Sequence, residues 1–246
     1  MSAETKPRVA WVAGVGELAG LGAAVARRFA REGFTVAVTG RTKARIEAVA
    51  ASIEAQGGSA FAVVADVGRE EDVVAARDAV AARGALAAAV FNPADAVRAP
   101  SLELSAQAFE DAWRTSTLGG FLFGREVART LLPAGGGTLL FTGATASLRG
   151  RPPFGAFAAA KAGLRSVAQT FAREFGPRGI HVAHVILDGG IDGERLRTRA
   201  PQRVREAGED GLLALDAIAD VYWHLHAQPR SAWTHELDLR PFKEPF

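Results

Sequence analysis

The sequence contains no cysteine, one methionine and one tyrosine among its 246 residues. The absence of cysteine excludes disulfides and thiolate metal sites, and it fits a reducing compartment. No apolar run reaches the ~20 residues that a membrane-spanning helix needs. A formal net charge of +2 produces no strong field that would attract nucleic acid or an anionic membrane. We therefore expect a cytoplasmic protein that has neither nucleic acid nor membrane as a partner.

Histidine is also sparse, and its five copies do not form a metal-binding pattern. His224 and His226 are two residues apart, so they lie on different faces of a predicted helix. His181 and His184 fall on a predicted strand, where we expect structural roles. We therefore predict no metal site.

Short apolar runs alternate with alanine-rich helical patterns along the whole chain. The predicted strands are 8–13, 35–39, 59–65, 86–91, 138–142, 180–187 and 235–239. The predicted helices are 20–32, 42–55, 70–82, 105–132, 155–175 and 216–226. Nearly continuous apolar strands separated by helices predict a parallel sheet covered on both faces. We see no internal repeat or linker, and we predict one domain over residues 1–246, with a mobile segment near 192–211.

A glycine cluster follows the first predicted strand and opens the first helix. Glycines at this place permit a tight turn and let backbone N–H groups bind a pyrophosphate at a helix N-terminus. Gly16, Gly20 and Gly22, with Leu21 between the last two, have the spacing G-x-x-x-G-x-G. The strand length instead favours Gly14 as the first glycine, in a longer loop. The sequence leaves both frames open, and a glycine turn without a ligand is the simpler alternative.

The end of the second predicted strand indicates which dinucleotide is preferred. NAD-binding proteins usually carry a carboxylate there, which accepts hydrogen bonds from the ribose hydroxyls. Gly40 offers none, whereas Arg41 offers a planar cation suited to a 2′-phosphate, and Thr42 adds a hydroxyl. We therefore predict that NADP(H) is preferred over NAD(H). The alternative is that Arg41 is a solvated residue at the start of a helix.

The glycine cluster and the segment Phe157-Ala-Ala-Ala-Lys161 together resemble the short-chain dehydrogenase/reductase family. The resemblance extends over nearly the whole chain and implies an α/β, doubly wound Rossmann fold. It also implies that the segment 192–211 covers a small-molecule substrate. The C-terminal region resembles the part that this family uses for subunit packing, which implies a homodimer or homotetramer.

Further cofactor contacts follow from the same resemblance. It implies that Asp66 and Val67 contact the adenine and that Lys161 binds the nicotinamide ribose. Asn92 would steady the central strands near the cofactor. Gly189 and Ile191 keep the family's pattern near the nicotinamide carboxamide, although Asp188 replaces a proline there.

The proton-transfer site departs from the family's pattern. The family has tyrosine where this chain has Phe157, serine at Ala144 and asparagine at Ser116, and only Lys161 of the four residues is kept. A phenol next to a lysine donates a proton to a carbonyl oxygen, whereas a phenyl ring has no proton to give. Tyr222 lies in the last predicted helix, so a shifted alignment does not restore the acid.

Two hydroxyls on the loop before this helix are candidate replacements. Thr145 and Ser147 could hydrogen-bond a substrate oxygen, or they could be ordinary polar loop residues. Asp188 and Asp192 could recognise a cationic substrate or merely be solvated at the pocket rim.

We predict an NADP(H)-dependent oxidoreductase with an altered proton-transfer site. The alternatives are a non-catalytic NADP(H)-binding regulatory or scaffolding subunit and a non-redox enzyme that reuses the pocket.

Overall fold

Residues 6–244, which the computed structural model describes, contain one parallel sheet with the strand order β3-β2-β1-β4-β5-β6-β7. The strands are β1 Arg8–Ala13, β2 Thr35–Gly40, β3 Ser59–Val64, β4 Ala85–Phe91, β5 Gly137–Thr142, β6 Ile180–Leu187 and β7 Glu236–Leu239. The chain begins in the centre, runs to one edge through β2 and β3, and returns to β4 beside β1. This reversal creates a crevice between the carboxyl ends of β1 and β4. The predicted doubly wound α/β fold is confirmed.

Helices cover both faces of the sheet. They are α1 Leu21–Arg31, α2 Lys43–Glu54, α3 Glu70–Ala81, α4 Ala106–Trp113, α5 Gly119–Leu131, α6 Gly155–Phe175, α7 Glu194–Arg199, α8 Pro201–Ala207 and α9 Leu215–Ala227. Side chains alternate along β1, so Val12 packs in the core with α1, α2 and α9, whereas Trp11 packs in the core with α3, α5 and α6. Because both faces of the strands are buried, their sequences are almost entirely apolar.

The structure differs from the sequence-based assignment in two segments. The helix predicted over 105–132 is divided into α4 and α5 by a π-helical turn at Arg114–Leu118. Ser105 begins it as predicted, because its hydroxyl accepts a hydrogen bond from the Ala108 N–H at 3.1 Å. The segment 192–211 contains α7 and α8, which are too short and polar to show an apolar period. No helix within residues 6–244 is long and apolar enough to cross a membrane.

Candidate dinucleotide-binding and proton-transfer site

The glycine loop turns sharply at Gly14, directly after β1. Gly14 has a φ of 82°, a conformation that favours glycine. Its N–H and that of Val15 both donate to the Thr39 carbonyl at 3.0 Å. A Cβ at position 14 would lie 2.5 Å from the backbone nitrogen of Pro93, so no side chain fits. The turn therefore begins at Gly14, whereas Gly16 lies farther along the loop with no heavy atom within 4 Å of its Cβ position.

The loop ends at the N-terminus of α1, where Gly20 is the N-cap residue and no side chain caps the helix. Leu21 and Gly22 form the first turn of α1 and are buried. This leaves the backbone N–H groups of the first turn available for an anion, which is how helix N-termini bind phosphates. The cradle therefore suits the pyrophosphate of a dinucleotide.

Two contacts hold the longer loop in place. The Glu17 carboxylate pairs with Arg45 of α2 at 3.0 Å, so it is turned toward α2. The guanidinium of Arg27 donates to the Leu18 carbonyl at 3.1 Å. The loop also meets the segment after β6, because the Glu194 N–H donates to the Ala19 carbonyl at 2.8 Å.

The end of β2 has no room for an acidic side chain. A Cβ at position 40 would lie 2.3 Å from the Val15 carbonyl oxygen and 2.9 Å from the Ile46 side chain. Among residues 6–244, the exposed guanidinium of Arg41 makes neither an ion pair nor a hydrogen bond. Thr42 is the N-cap residue of α2, and its hydroxyl does not cap the helix. Arg41 and Thr42 therefore present a cation and a hydroxyl to solvent, and position 40 carries no carboxylate.

Asn92 joins the two strands that border the crevice. Its side-chain amide donates to the Gly14 carbonyl at 3.0 Å, and its backbone N–H donates to the Ala13 carbonyl at 3.0 Å. Asn92 therefore fixes the turn after β1 to the end of β4.

Asp66 and Val67 follow β3. One carboxylate oxygen of Asp66 accepts a hydrogen bond from the Gly68 N–H at 2.9 Å, so this residue caps a turn. Val67 is buried.

The residues after β6 lie at the same edge of the sheet. Gly189 has a φ of 147°, and Ile191 forms an isolated parallel bridge with Leu213. Both therefore lie where the segment 192–211 leaves the sheet.

Lys161 is buried on α6, with 1% of its surface exposed. Its ammonium nitrogen donates to the Thr142 carbonyl at 2.7 Å. Burial without an acidic partner disfavours the charged form and lowers the pKa of Lys161 to about 7. Phe157 lies one helical turn earlier, and its ring centroid is 6.0 Å from the Lys161 nitrogen.

The other predicted site positions lie in the elements that flank α6. Ser116 occupies the π-helical turn and is fully buried, and its hydroxyl has no hydrogen-bond partner within residues 6–244. Ala144 has no hydroxyl, and its backbone N–H donates to the Ser147 hydroxyl oxygen at 3.1 Å.

The hydroxyls of Thr145 and Ser147 both have partners inside the protein. The Thr145 hydroxyl donates to Asp188, which is buried instead of lying at the rim and also accepts a hydrogen bond from Arg240 at 2.7 Å. Ser147 is 4% exposed, and its hydroxyl lies 3.4 Å from Nε2 of His184.

Sequence reasoning did not find the partners of His184. Its Nδ1 is 2.9 Å from Glu236, which Arg165 binds through two hydrogen bonds of 2.7 Å. A carboxylate only accepts hydrogen bonds, so the proton lies on Nδ1, and Nε2 accepts from Ser147. Burial lowers the pKa of His184 to about 4, so the ring is neutral near pH 7. The only sequence signal was the presence of two histidines, His181 and His184, in a strand that is otherwise apolar.

The doubly wound fold and the glycine turn before α1 are typical of dinucleotide-binding α/β proteins. Residues 8–203 match the sequence profile described as short chain dehydrogenase, and the chain belongs to this family. Members of the family bind nicotinamide cofactors and act on small molecules.

The chain is similar to three characterised or solved relatives. It is 33% identical over 178 residues to an A-factor type γ-butyrolactone 1′-reductase (1S-forming) of Streptomyces virginiae, a match that covers 71% of this chain and 68% of the reductase. A crystal structure of a short-chain dehydrogenase from Rhodopseudomonas palustris is 40% identical, with a TM-score of 0.82 and coverage of 96% and 99% of the two chains. A gluconate 5-dehydrogenase from Burkholderia cenocepacia in complex with NADP and tartrate is 22% identical, with a TM-score of 0.83 and coverage of 96% and 94%, and it shares the fold.

Proposed function

We propose that the protein is an NADP(H)-dependent oxidoreductase whose proton-transfer site works without a phenol. The observation that carries this proposal is the buried Lys161 beside the ring of Phe157. A lysine that served only solubility would be exposed, because burial of an ammonium group is costly. Lys161 is kept where a nicotinamide ribose would need a donor, while the acid next to it is replaced by a hydrocarbon.

Several residues support the preference for NADP(H). The Gly14 turn and the uncapped start of α1 suit a pyrophosphate, and Arg41 and Thr42 suit a 2′-phosphate. The Val15 carbonyl fills the space that an acidic side chain at position 40 would need in order to accept hydrogen bonds from the ribose hydroxyls. Asp66, Val67, Gly189 and Ile191 complete the proposed cofactor contacts. When bound, the nicotinamide supplies or accepts the hydride.

The proton for the substrate comes from water or from the Lys161 ammonium. Thr145 and Ser147 have inward-directed hydroxyls, so they act by holding the loop and Asp188 in position. Loss of a general acid typically costs about 10²- to 10⁴-fold in rate, which a reactive substrate tolerates. Reduction of an activated carbonyl, an iminium ion or a conjugated alkene therefore fits this site best.

The quaternary structure is part of the same proposal. Phe109, Trp113 and Phe121 are large, partly exposed side chains on α4 and α5. Exposed aromatic residues that lie close together favour burial against another surface. We propose that they contribute to a homodimer or homotetramer, and that the protein works in the cytoplasm. Analytical ultracentrifugation would test the oligomeric state.

The direct test combines binding with turnover. Calorimetric titration would measure the affinities for NADPH and NADH, and NADPH absorbance would report turnover with a panel of aldehydes, diketones, cyclic imines and enones. Turnover that Lys161→Met abolishes supports the proposed oxidoreductase. Tight NADPH binding without turnover supports the non-catalytic NADP(H)-binding subunit instead, and the absence of NADPH binding contradicts both.

A further inference from the structure

The loop before α6 and the part of α6 up to Arg173 contain no acidic residue. The sequence from 127 to 173 contains neither aspartate nor glutamate, although it includes Arg149, Arg151 and Lys161. The carboxylate that reaches this loop comes from Asp188, after β6. The charge on this side of the crevice is therefore set by arginine and lysine.

Arg149 is the member of this group that has a buried donor nitrogen without an acceptor among residues 6–244. Its guanidinium is 3.6 Å from the Asp188 carboxylate, which is too long for a hydrogen bond. Asp188 already accepts hydrogen bonds from Thr145 and Arg240. Within residues 6–244, Arg149 donates no side-chain hydrogen bond, and its Nε is buried without an acceptor. A charged donor in this situation favours any ligand that supplies an acceptor.

Two further arginines lie on the loops around Arg149. Arg151 is exposed on the same loop, and Arg98 is exposed on the loop after β4. A hydrogen bond of 3.0 Å from the Ala99 N–H to the Pro153 carbonyl joins these loops. Arg98 and Arg151 are therefore held on adjoining loops at the carboxyl edge of the sheet, where both can attract an anion.

We propose that the substrate carries a carboxylate, which binds Arg149. A guanidinium presents parallel N–H donors that match the two oxygens of a carboxylate. This inference rests on the proposed function and names its substrate class. A substrate carboxylate has the opposite charge to the cationic substrate that Asp188 and Asp192 would recognise. Both acids already have arginine partners, since Asp192 pairs with Arg197 at 2.8 Å.

Matched substrates test the proposal. The probes are 4-formylbenzoate and its methyl ester, which present the same aldehyde with and without the negative charge. We expect a higher kcat/KM for the acid, and a loss of about tenfold with Arg149→Gln for the acid only. Arg149→Lys should retain part of the preference. Arg173→Gln, an exposed site on α6, is the matched control and should leave both substrates unchanged.

A binding experiment separates this proposal from the proposed oxidoreductase activity. Benzoate and benzamide would be titrated into the NADPH-saturated protein, whether or not either aldehyde is reduced. Benzoate binding that weakens with Arg149→Gln and with added salt supports the inference even if turnover fails. Equal binding of benzoate and benzamide, or benzoate binding that is unaffected by Arg149→Gln, overturns it. Measured NADPH affinity in each variant excludes a loss caused by misfolding.

Discussion

The ammonium nitrogen of Lys161 lies over the ring of Phe157, 6.0 Å from its centroid, in the interior of the proposed active site. The ring occupies the place of a phenol while lacking the oxygen that would share a proton with the lysine. The Lys161 ammonium donates to the backbone carbonyl of Thr142. The pair keeps the shape of a proton-transfer site and removes its acid.

Restoring the missing hydroxyls should increase carbonyl reduction. Phe157→Tyr combined with Ala144→Ser introduces an acid next to Lys161 and a hydroxyl for the substrate oxygen. We expect a gain of roughly tenfold or more in kcat/KM, below the full value of a general acid because Ser116 is unchanged. Adding Lys161→Met to the double variant should remove the gain. No gain while NADPH still binds would show that carbonyl substrates bind in another position.

An acid at position 40 should destabilise the protein instead of switching its cofactor. Gly40→Asp places a Cβ against the Val15 carbonyl, and overpacking of this kind costs about 1–3 kcal/mol. Gly40→Ala should lower the melting temperature similarly, because the clash begins at the Cβ. Gly155→Ala is a control, since its Cβ position is free of neighbours. A stable Gly40→Asp variant that prefers NADH would contradict this account.

Arg41 should determine the preference for the phosphorylated coenzyme. Arg41→Gln removes an exposed cation without a partner in the described chain, so it should weaken NADPH binding roughly tenfold and leave NADH binding nearly unchanged. Lys43→Gln is the matched control, because Lys43 is also exposed in this corner but lies 3.7 Å from Glu47. Calorimetric titration of both coenzymes would measure the effect. Equal losses for NADPH and NADH would contradict it.

The stability of the protein should fall in mild acid. An unfolded histidine takes up a proton below about pH 6.5, whereas His184 resists protonation until about pH 4. The unfolded state therefore binds more protons within this window, and up to about 3 kcal/mol of stability is lost as the pH falls through it. His226 has a similarly lowered pKa of about 4, so its contribution has the same sign.

Urea unfolding at a series of pH values between about 4 and 6.5 would measure the loss of stability. His184→Gln should make the decline shallower, with the remainder due to His226 and to His181, whose pKa burial also lowers. His224→Gln, on the exposed side of α9, should leave the pH dependence unchanged. A decline that is unaffected by His184→Gln would assign the effect to other groups.

The sequence predicted the sheet well because its strands are buried on both faces. β1 and β6 have the predicted bounds, since their apolar runs end at a glycine or a charged residue. The π-helical turn around Ser116 was not predictable, because it changes the hydrogen bonding of a helix without interrupting its apolar pattern.

Long-range pairings explain what the sequence left open at the site. Glu236 and His184 are 52 residues apart, and Thr145 and Asp188 are 43 apart. Such contacts depend on the order of strands in the sheet, which apolar periodicity does not reveal. The beginning of the glycine turn at Gly14 likewise required the positions of Pro93 and Thr39.

The contact between Gly193 and Ala19 links two segments that sequence comparison treats as independent. A Cβ at position 193 would lie 3.0 Å from the Ala19 carbonyl oxygen. The long glycine loop after β1 therefore fits here because Gly193, which faces it, has no side chain. A variant with a shortened loop would lose the carbonyl that accepts the Glu194 N–H, whereas one with threonine at 193 would crowd the loop. Grafting either segment into a relative therefore requires that both be transferred together.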